Sequence, residues 1–309
     1  MKRANFPPYA VPLGTPDPVE EWLFPEGVSG YDAATDTGVQ ISNPEPAEQA
    51  GYLDRHLANV RCPSLFAYPA SPDKRNGAAV LICPGGGYQI LAFDKEGTDL
   101  ARFFNSFGVS AFVLKYHLSW KGEQRGAFPE APLRDAQRAL RLIRSRTAQY
   151  GIRPDRIGIM GFSAGGHLAA SASTLYADQQ EPRPELACIS ARPDFSILIY
   201  PVVTFLDPAA HVGSCRNLLG EHASEQLKRK FSPEVQVTPE TPPAFLVQAA
   251  DDAVPVENSL RYFAALKAVG VPAEMHIYPE GGHGYGMRQR GMTIDSWPDR
   301  LREWLLKLV

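Results

Sequence analysis

The chain has 309 residues, with 31 Lys and Arg against 34 Asp and Glu, a net charge of −3, and a composition 44% hydrophobic and 21% charged. That balance excludes a disordered chain, and it lacks the excess of cationic charge that binding to nucleic-acid phosphates requires. No apolar run approaches the roughly 18 residues of a membrane-spanning helix.

The first residues, MKRANFPPYAVPLG, have two basic side chains but no apolar core and no cleavage pattern, so no secretory signal is read and a cytoplasmic location is expected. Residues 1–57 are rich in Pro, Gly, Asp and Glu and show no sustained periodicity. They are expected to form an irregular extension packed on the main domain, anchored by apolar residues such as Trp22, Leu23 and Phe24. From residue 58 to 309 strand-like and helix-like segments alternate. SLFAYPA (64–70) and AAVLIC (78–83) read as strands, the second a continuous apolar run suited to a sheet centre. A helix follows over 95–107, then the strand VSAFVLKY (109–116) and a helix over 131–150 that stops at Gly151. RIGIMGF (156–162) is the next strand, and 164–177 the next helix. Strands at 196–203, 244–250 and 273–279 and helices at 256–269 and 296–308 complete the pattern. The polar, proline-bearing stretch 205–242 interrupts it and is expected to form a cap or lid above the sheet. Such alternation implies an α/β fold, a mostly parallel sheet with helices on both faces. The cysteines Cys62, Cys83, Cys188 and Cys215 form no CxxC pair, which speaks against structural zinc or a redox motif, and Cys83 reads as a buried thiol.

Four segments carry chemistry. Gly161-Phe162-Ser163-Ala164-Gly165 is a G-x-S-x-G between an apolar strand and a small-residue helix. A sharp strand-to-helix turn exposes a serine there and places it at a helix N-terminus, as a nucleophile needs. Cys83-Pro84-Gly85-Gly86-Gly87-Tyr88 follows a central strand. Its backbone N–H groups at Gly86 and Gly87, with that of Ala164, are expected to form an oxyanion hole. A phosphate loop is the rival reading, but no Gly-Lys-Ser/Thr follows. Asp251 and Asp252 follow the strand AFLVQAA, where a triad acid belongs. Asp251 leaves the strand first and is preferred, and Asp252 is read as a cap of the turn or of the next helix. His283, in Gly281-Gly282-His283-Gly284-Tyr285-Gly286, follows the strand 273–279 and is the general base. His167 reads as a buried, hydrogen-bonded residue, His276 lies within a strand, and His56, His117, His211 and His222 lack a catalytic context. No HExxH or EF-hand pattern supports a metal mechanism. Asp94-Lys95-Glu96 is read as a solvated or ion-paired helix start, and Tyr88, Trp120 and Phe205 as candidate walls of an apolar or sugar-stacking pocket.

CPGGGYQILAFDKEG, VSAFVLKYHL, APLRDAQRALRLIR, GIMGFSAGGHLAA, ADDAVPVENSLRYFAAL and PEGGHGYG together resemble bacterial α/β-hydrolases related to acetylxylan esterases, over about residues 58–309. The glycine loop resembles the HGGG loop of lipases and esterases, with Pro84 in the histidine's place. The resemblance implies an α/β-hydrolase fold with the chain order Ser163, Asp251, His283. It implies a cofactor-free serine esterase for small acyl groups, acting on a small-molecule or oligosaccharide ester such as acetylated xylo-oligosaccharides. The missing secretion signal points to imported oligosaccharides rather than whole xylan. A peptidase of the prolyl-oligopeptidase type shares this order but carries a propeller domain for which there is no room. A non-catalytic binding protein on the same fold is the third reading, and an intact triad and oxyanion loop argue against it.

Overall fold

The long apolar runs become the central strands of one sheet. The computed structural model describes residues 8–27, 40–42, 50–118, 126–178 and 181–309. In chain order its strands are β1 (Glu20–Trp22), β2 (Gln40–Ser42), β3 (His56–Ala58), β4 (Ser64–Tyr68), β5 (Ala79–Cys83), β6 (Ile90–Ala92), β7 (Ser110–Lys115), β8 (Ile157–Phe162), β9 (Ser196–Ile199), β10 (Ala244–Ala249) and β11 (Ala273–Tyr278). The helices are α1 (Asp99–Ser106), α2 (Ala131–Ser145), α3 (Thr147–Tyr150), α4 (Ser163–Thr174), α5 (Pro184–Ala187), α6 (Val212–Leu219), α7 (Glu225–Lys230), α8 (Glu257–Ala268) and α9 (Trp297–Leu308). Eight strands form the main sheet in the order β1-β4-β7-β5-β8-β9-β10-β11, antiparallel from β1 to β7 and parallel from there on. A smaller antiparallel sheet joins β2, β3 and β6.

Every residue of β5, β7, β8 and β10 is buried, as expected for strands covered on both faces. The two-residue period of a strand divides them between two cores. Ala79, Leu81 and Cys83 pack with Ile157 and Ile159 and with Leu140, Leu168 and Leu266 from α2, α4 and α8. Val80 and Ile82 pack on the other face with Met160, Phe162, Phe104 of α1 and Leu301 and Leu305 of α9. The parallel register sets the site. Cys83 pairs with Gly161, Phe162 with Ile199, and Ala249 with Tyr278. The loops after β5, β8, β10 and β11 therefore leave the sheet at one edge, the carboxyl edge where ligands bind in open α/β sheets.

Several expectations shift. The N-terminal segment is woven into the sheet rather than only laid on it, because β1 pairs with β4 at the edge. Leu23 is fully buried and Trp22 is exposed. The strand expected over 196–203 ends at Ile199, where Tyr200 turns to φ +37° and Pro201 lacks an N–H. The helix expected over 95–107 opens with a π-helical turn, Asp94–Thr98, before α1. Between β9 and β10 the stretch 205–242 holds α6, α7 and a 3-10 turn, Pro233–Val235. All four cysteines are free and Cys83 is buried. Among the described residues no helix is long and apolar enough to cross a membrane.

Candidate active site

Strand β8 runs extended to Phe162, at φ −116° and ψ 134°, and Ser163 then takes φ +51°. A left-handed conformation at a non-glycine residue costs on the order of 1–3 kcal/mol and persists where the surroundings enforce it. Here they do so through contact without side chains: a Cβ at Gly165 would run into the carbonyl oxygens of Cys83 and Pro84. The first turn of α4 can therefore lie directly against the loop after β5. Ser163 is 6% exposed, at the N-terminus of α4, where the helix dipole favours developing negative charge.

The hydroxyl has a partner. His283 Nε2 lies 2.8 Å from Ser163 Oγ, and His283 Nδ1 lies 2.7 Å from Asp252 Oδ1. A carboxylate only accepts, so Nδ1 carries the hydrogen and Nε2 is left to accept from the serine. The Asp252 side chain is fully buried and that of His283 is 31% exposed. The imidazole thus links an enclosed carboxylate to the serine hydroxyl.

The structure brings Asp252 to His283, and not Asp251, the acid expected from the sequence. Asp251 is exposed at the apex of the turn after β10, and its Oδ1 accepts the Gly282 N–H at 2.8 Å. Asp252 Oδ1 accepts the Val254 N–H at 2.8 Å, an Asx-type turn that folds the side chain inward beneath His283. The capping bond assigned to Asp252 from the sequence is present, and the same oxygen also meets the imidazole. Asp251 instead steadies the loop that carries the histidine. Arg290 steadies it further, donating to the carbonyls of Gly281 and His283.

The loop after β5 lies beside the serine, for a Cβ on Gly85 would stand 3.0 Å from the Ser163 Cβ. Gly86 takes φ +137°, and a Cβ there would strike the Ile90 backbone. Its carbonyl accepts from the N–H groups of Gln89 and Ile90 and so closes the loop as a tight turn. A buried carboxylate holds this loop from behind. Glu96 Oε2 accepts the Gly85 N–H at 2.8 Å, and Glu96 Oε1 accepts the Tyr200 hydroxyl at 2.8 Å. The Tyr200 oxygen accepts the Gly286 N–H at 2.9 Å, and its ring meets the edge of His283 at 4.9 Å between centroids. Burial pushes the Tyr200 phenol well above its usual range, so it remains a hydroxyl donor. Glu96 and Tyr200 therefore connect the glycine loop to the histidine loop. Neither role is legible in the sequence, where Glu96 reads as a helix start, and only its place in a π-helical turn marks it out.

Tyr88 and Phe205 are not exposed pocket walls. Both are 2% exposed, the Tyr88 hydroxyl lies 2.7 Å from His167 Nδ1, and Phe205 stacks on the His167 ring at 4.3 Å. Hydrophobic burial beside a histidine on the inner face of α4 claims them. His167 itself is buried and hydrogen-bonded, its Nε2 2.8 Å from the Phe231 carbonyl. Trp120 lies outside the described residues.

Comparison with known proteins agrees with this architecture. A family model described as the alpha/beta hydrolase fold matches residues 80–287. The chain is 39% identical over 223 residues to endo-1,4-beta-xylanase B of Butyrivibrio fibrisolvens, covering 72% of this chain and 34% of that protein. It is 34% identical over 239 residues to an acetylxylan esterase of Xylanibacter ruminicola, covering 76% of this chain and 46% of that protein. The chain thus spans about a third to a half of the length of these curated relatives. Among solved structures, an acetyl ester-xyloside bifunctional hydrolase from Caldicellulosiruptor lactoaceticus superposes with a TM-score of 0.76 at 32% identity, covering 96% of this chain and 98% of that one.

Proposed function

The chain belongs to the α/β-hydrolase fold family, and from that membership we propose that it is a cofactor-free serine carboxylic ester hydrolase that removes acetyl groups from carbohydrate esters, with Ser163, His283 and Asp252 as its triad. The relay of hydrogen bonds from Asp252 through His283 to Ser163, beside the glycine loop, carries this reading. Ser163 Oγ attacks the ester carbonyl as its proton passes to His283 Nε2. The imidazolium is stabilised by Asp252, and the oxyanion faces the N–H groups of Gly86, Gly87 and Ala164. His283 then protonates the leaving alcohol, and water, deprotonated by the same imidazole, releases the acid from the acyl-enzyme.

The names of the Xylanibacter and Caldicellulosiruptor proteins support an acetylated xylo-oligosaccharide as substrate. A series of aryl esters of increasing acyl length, run beside acetate release from acetylated xylo-oligosaccharides, tests it. A sharp preference for two-carbon acyl groups in both assays is expected. A preference for eight or more carbons, or hydrolysis of aminoacyl-proline amides in place of acetyl esters, would overturn it.

A further inference from the structure

Helix α6 joins the two sides of the site. Near its end, Asn217 Nδ2 donates to the Gly87 carbonyl at 2.8 Å. At its start stands the N-cap residue His211, two residues past Ala209, whose carbonyl shares the Asn258 amide with the carbonyl of Pro255, three residues past Asp252. Asn217 stands six positions along from His211, a span of about 9 Å at 1.5 Å per residue. The segment that brings His211 here is fixed by a fully buried Asn258. Asn258 Oδ1 accepts from the N–H groups of Val203 and Thr204, and its Nδ2 donates to the carbonyls of Ala209 and of Pro255 in the acid loop.

The ring of His211 is held in one tautomer. The Ser214 backbone N–H donates to Nδ1 at 3.3 Å, and the Ser214 hydroxyl lies 2.8 Å from the same atom. A peptide N–H can only donate, so Nδ1 presents its lone pair and the hydrogen sits on Nε2. Burial, aided by the nearby His283, lowers the pKa and keeps the ring neutral. Among the described residues, Nε2 has no hydrogen-bond partner.

We propose that His211 is a specificity residue whose Nε2–H donates to a hydroxyl oxygen on the alcohol half of the ester. This rests on reading the site as an ester hydrolase. A substrate that displaces solvent from this donor must offer it an acceptor in exchange. The acetyl group's only oxygen acceptor, the ester carbonyl, belongs to the glycine loop, so the acceptor must come from the alcohol. A simple alkyl or aryl alcohol has no second oxygen to offer, whereas a sugar has several.

The test compares kcat/KM of the full chain and two variants on acetylated xylo-oligosaccharides and on phenyl acetate, whose alcohol half has no further oxygen. His211→Asn keeps a side chain that caps helices well but is too short to reach. His211→Phe keeps a ring and removes the donor. Both are expected to lose about three- to tenfold on the sugar ester, carried by KM, with aryl acetate turnover unchanged. Equal loss on both esters, or loss on neither, overturns the role of His211 alone. A wild-type chain that hydrolyses neither ester overturns the esterase reading and this one with it.

Discussion

In the proposed mechanism Ser163 is reactive only while His283 keeps its hydrogen on Nδ1, and Asp252 enforces this through the 2.7 Å contact. Asp252→Asn preserves the shape but can donate to the ring and favour the wrong tautomer; kcat should fall by about 10⁴-fold, by analogy with other triads. Asp251→Asn removes only part of one loop anchor, the bond to Gly282 N–H, and should cost less than about tenfold. Steady-state kinetics of the two variants on one acetyl ester separate the assignments; the reverse order would restore Asp251. The meeting of Ser163 with His283 was legible in the sequence because their glycine-bearing turns dictate the backbone on each side. The choice of acid was not, because two adjacent aspartates differ only in how the turn directs them. Glu96 and Tyr200 were not legible either, since what they hold is backbone: Glu96 binds Gly85 N–H, 11 residues away, and Tyr200 binds Gly286 N–H, 86 residues away.

Helix α4 supplies the serine at its first residue and, one turn later, buries His167 against the segment that carries Phe231. Burial draws the His167 pKa down from 6.5 to about 4, against a smaller opposing effect of the Phe231 carbonyl. Between those limits the unfolded chain takes up a proton that the folded chain refuses. The contribution to stability is therefore complete above pH 6.5 and is lost as the pH falls toward 4. From pH 6.5 to 5 the loss amounts to about 2 kcal/mol. Urea unfolding at the two pH values should show it, and His167→Gln should remove most of that difference; an unchanged pH dependence in the variant would reject this account. The long elements were readable from their patterns. β5, β7, β8 and β10 are covered on both faces, and this leaves uninterrupted apolar runs. The three-residue strands β1, β2, β3 and β6 were not read. A segment that short has no period to display, and its partner decides its conformation.

For the molecule as a whole, Arg138 of α2 joins the N-terminal segment to the domain. Fully buried, it pairs with Glu181 at 2.5 Å and Glu26 at 2.8 Å, donates to the Leu23 carbonyl at 2.9 Å and lies over the Phe24 ring. Arg138→Ala leaves the Glu181 carboxylate buried without its cation and should cost about 3–5 kcal/mol, measurable by denaturant unfolding; a loss below about 1 kcal/mol would show that the extension does not depend on this arginine. The alternation of strands and helices announced the domain, while the anchoring of residues 8–27 escaped because it runs through the three-residue strand β1 and through single ion pairs such as Arg138 with Glu26 and Arg146 with Glu21, none of which has a periodic signature. All scales converge on one hydroxyl at the carboxyl edge of the sheet. Its most direct test is treatment of the folded chain with a fluorophosphonate, with the adduct located by mass spectrometry and acetyl ester turnover measured in parallel. A single adduct on Ser163 is expected, absent from Ser163→Ala, whose kcat should fall by about 10⁶-fold. An adduct on another residue, or near-normal turnover by Ser163→Ala, would contradict it.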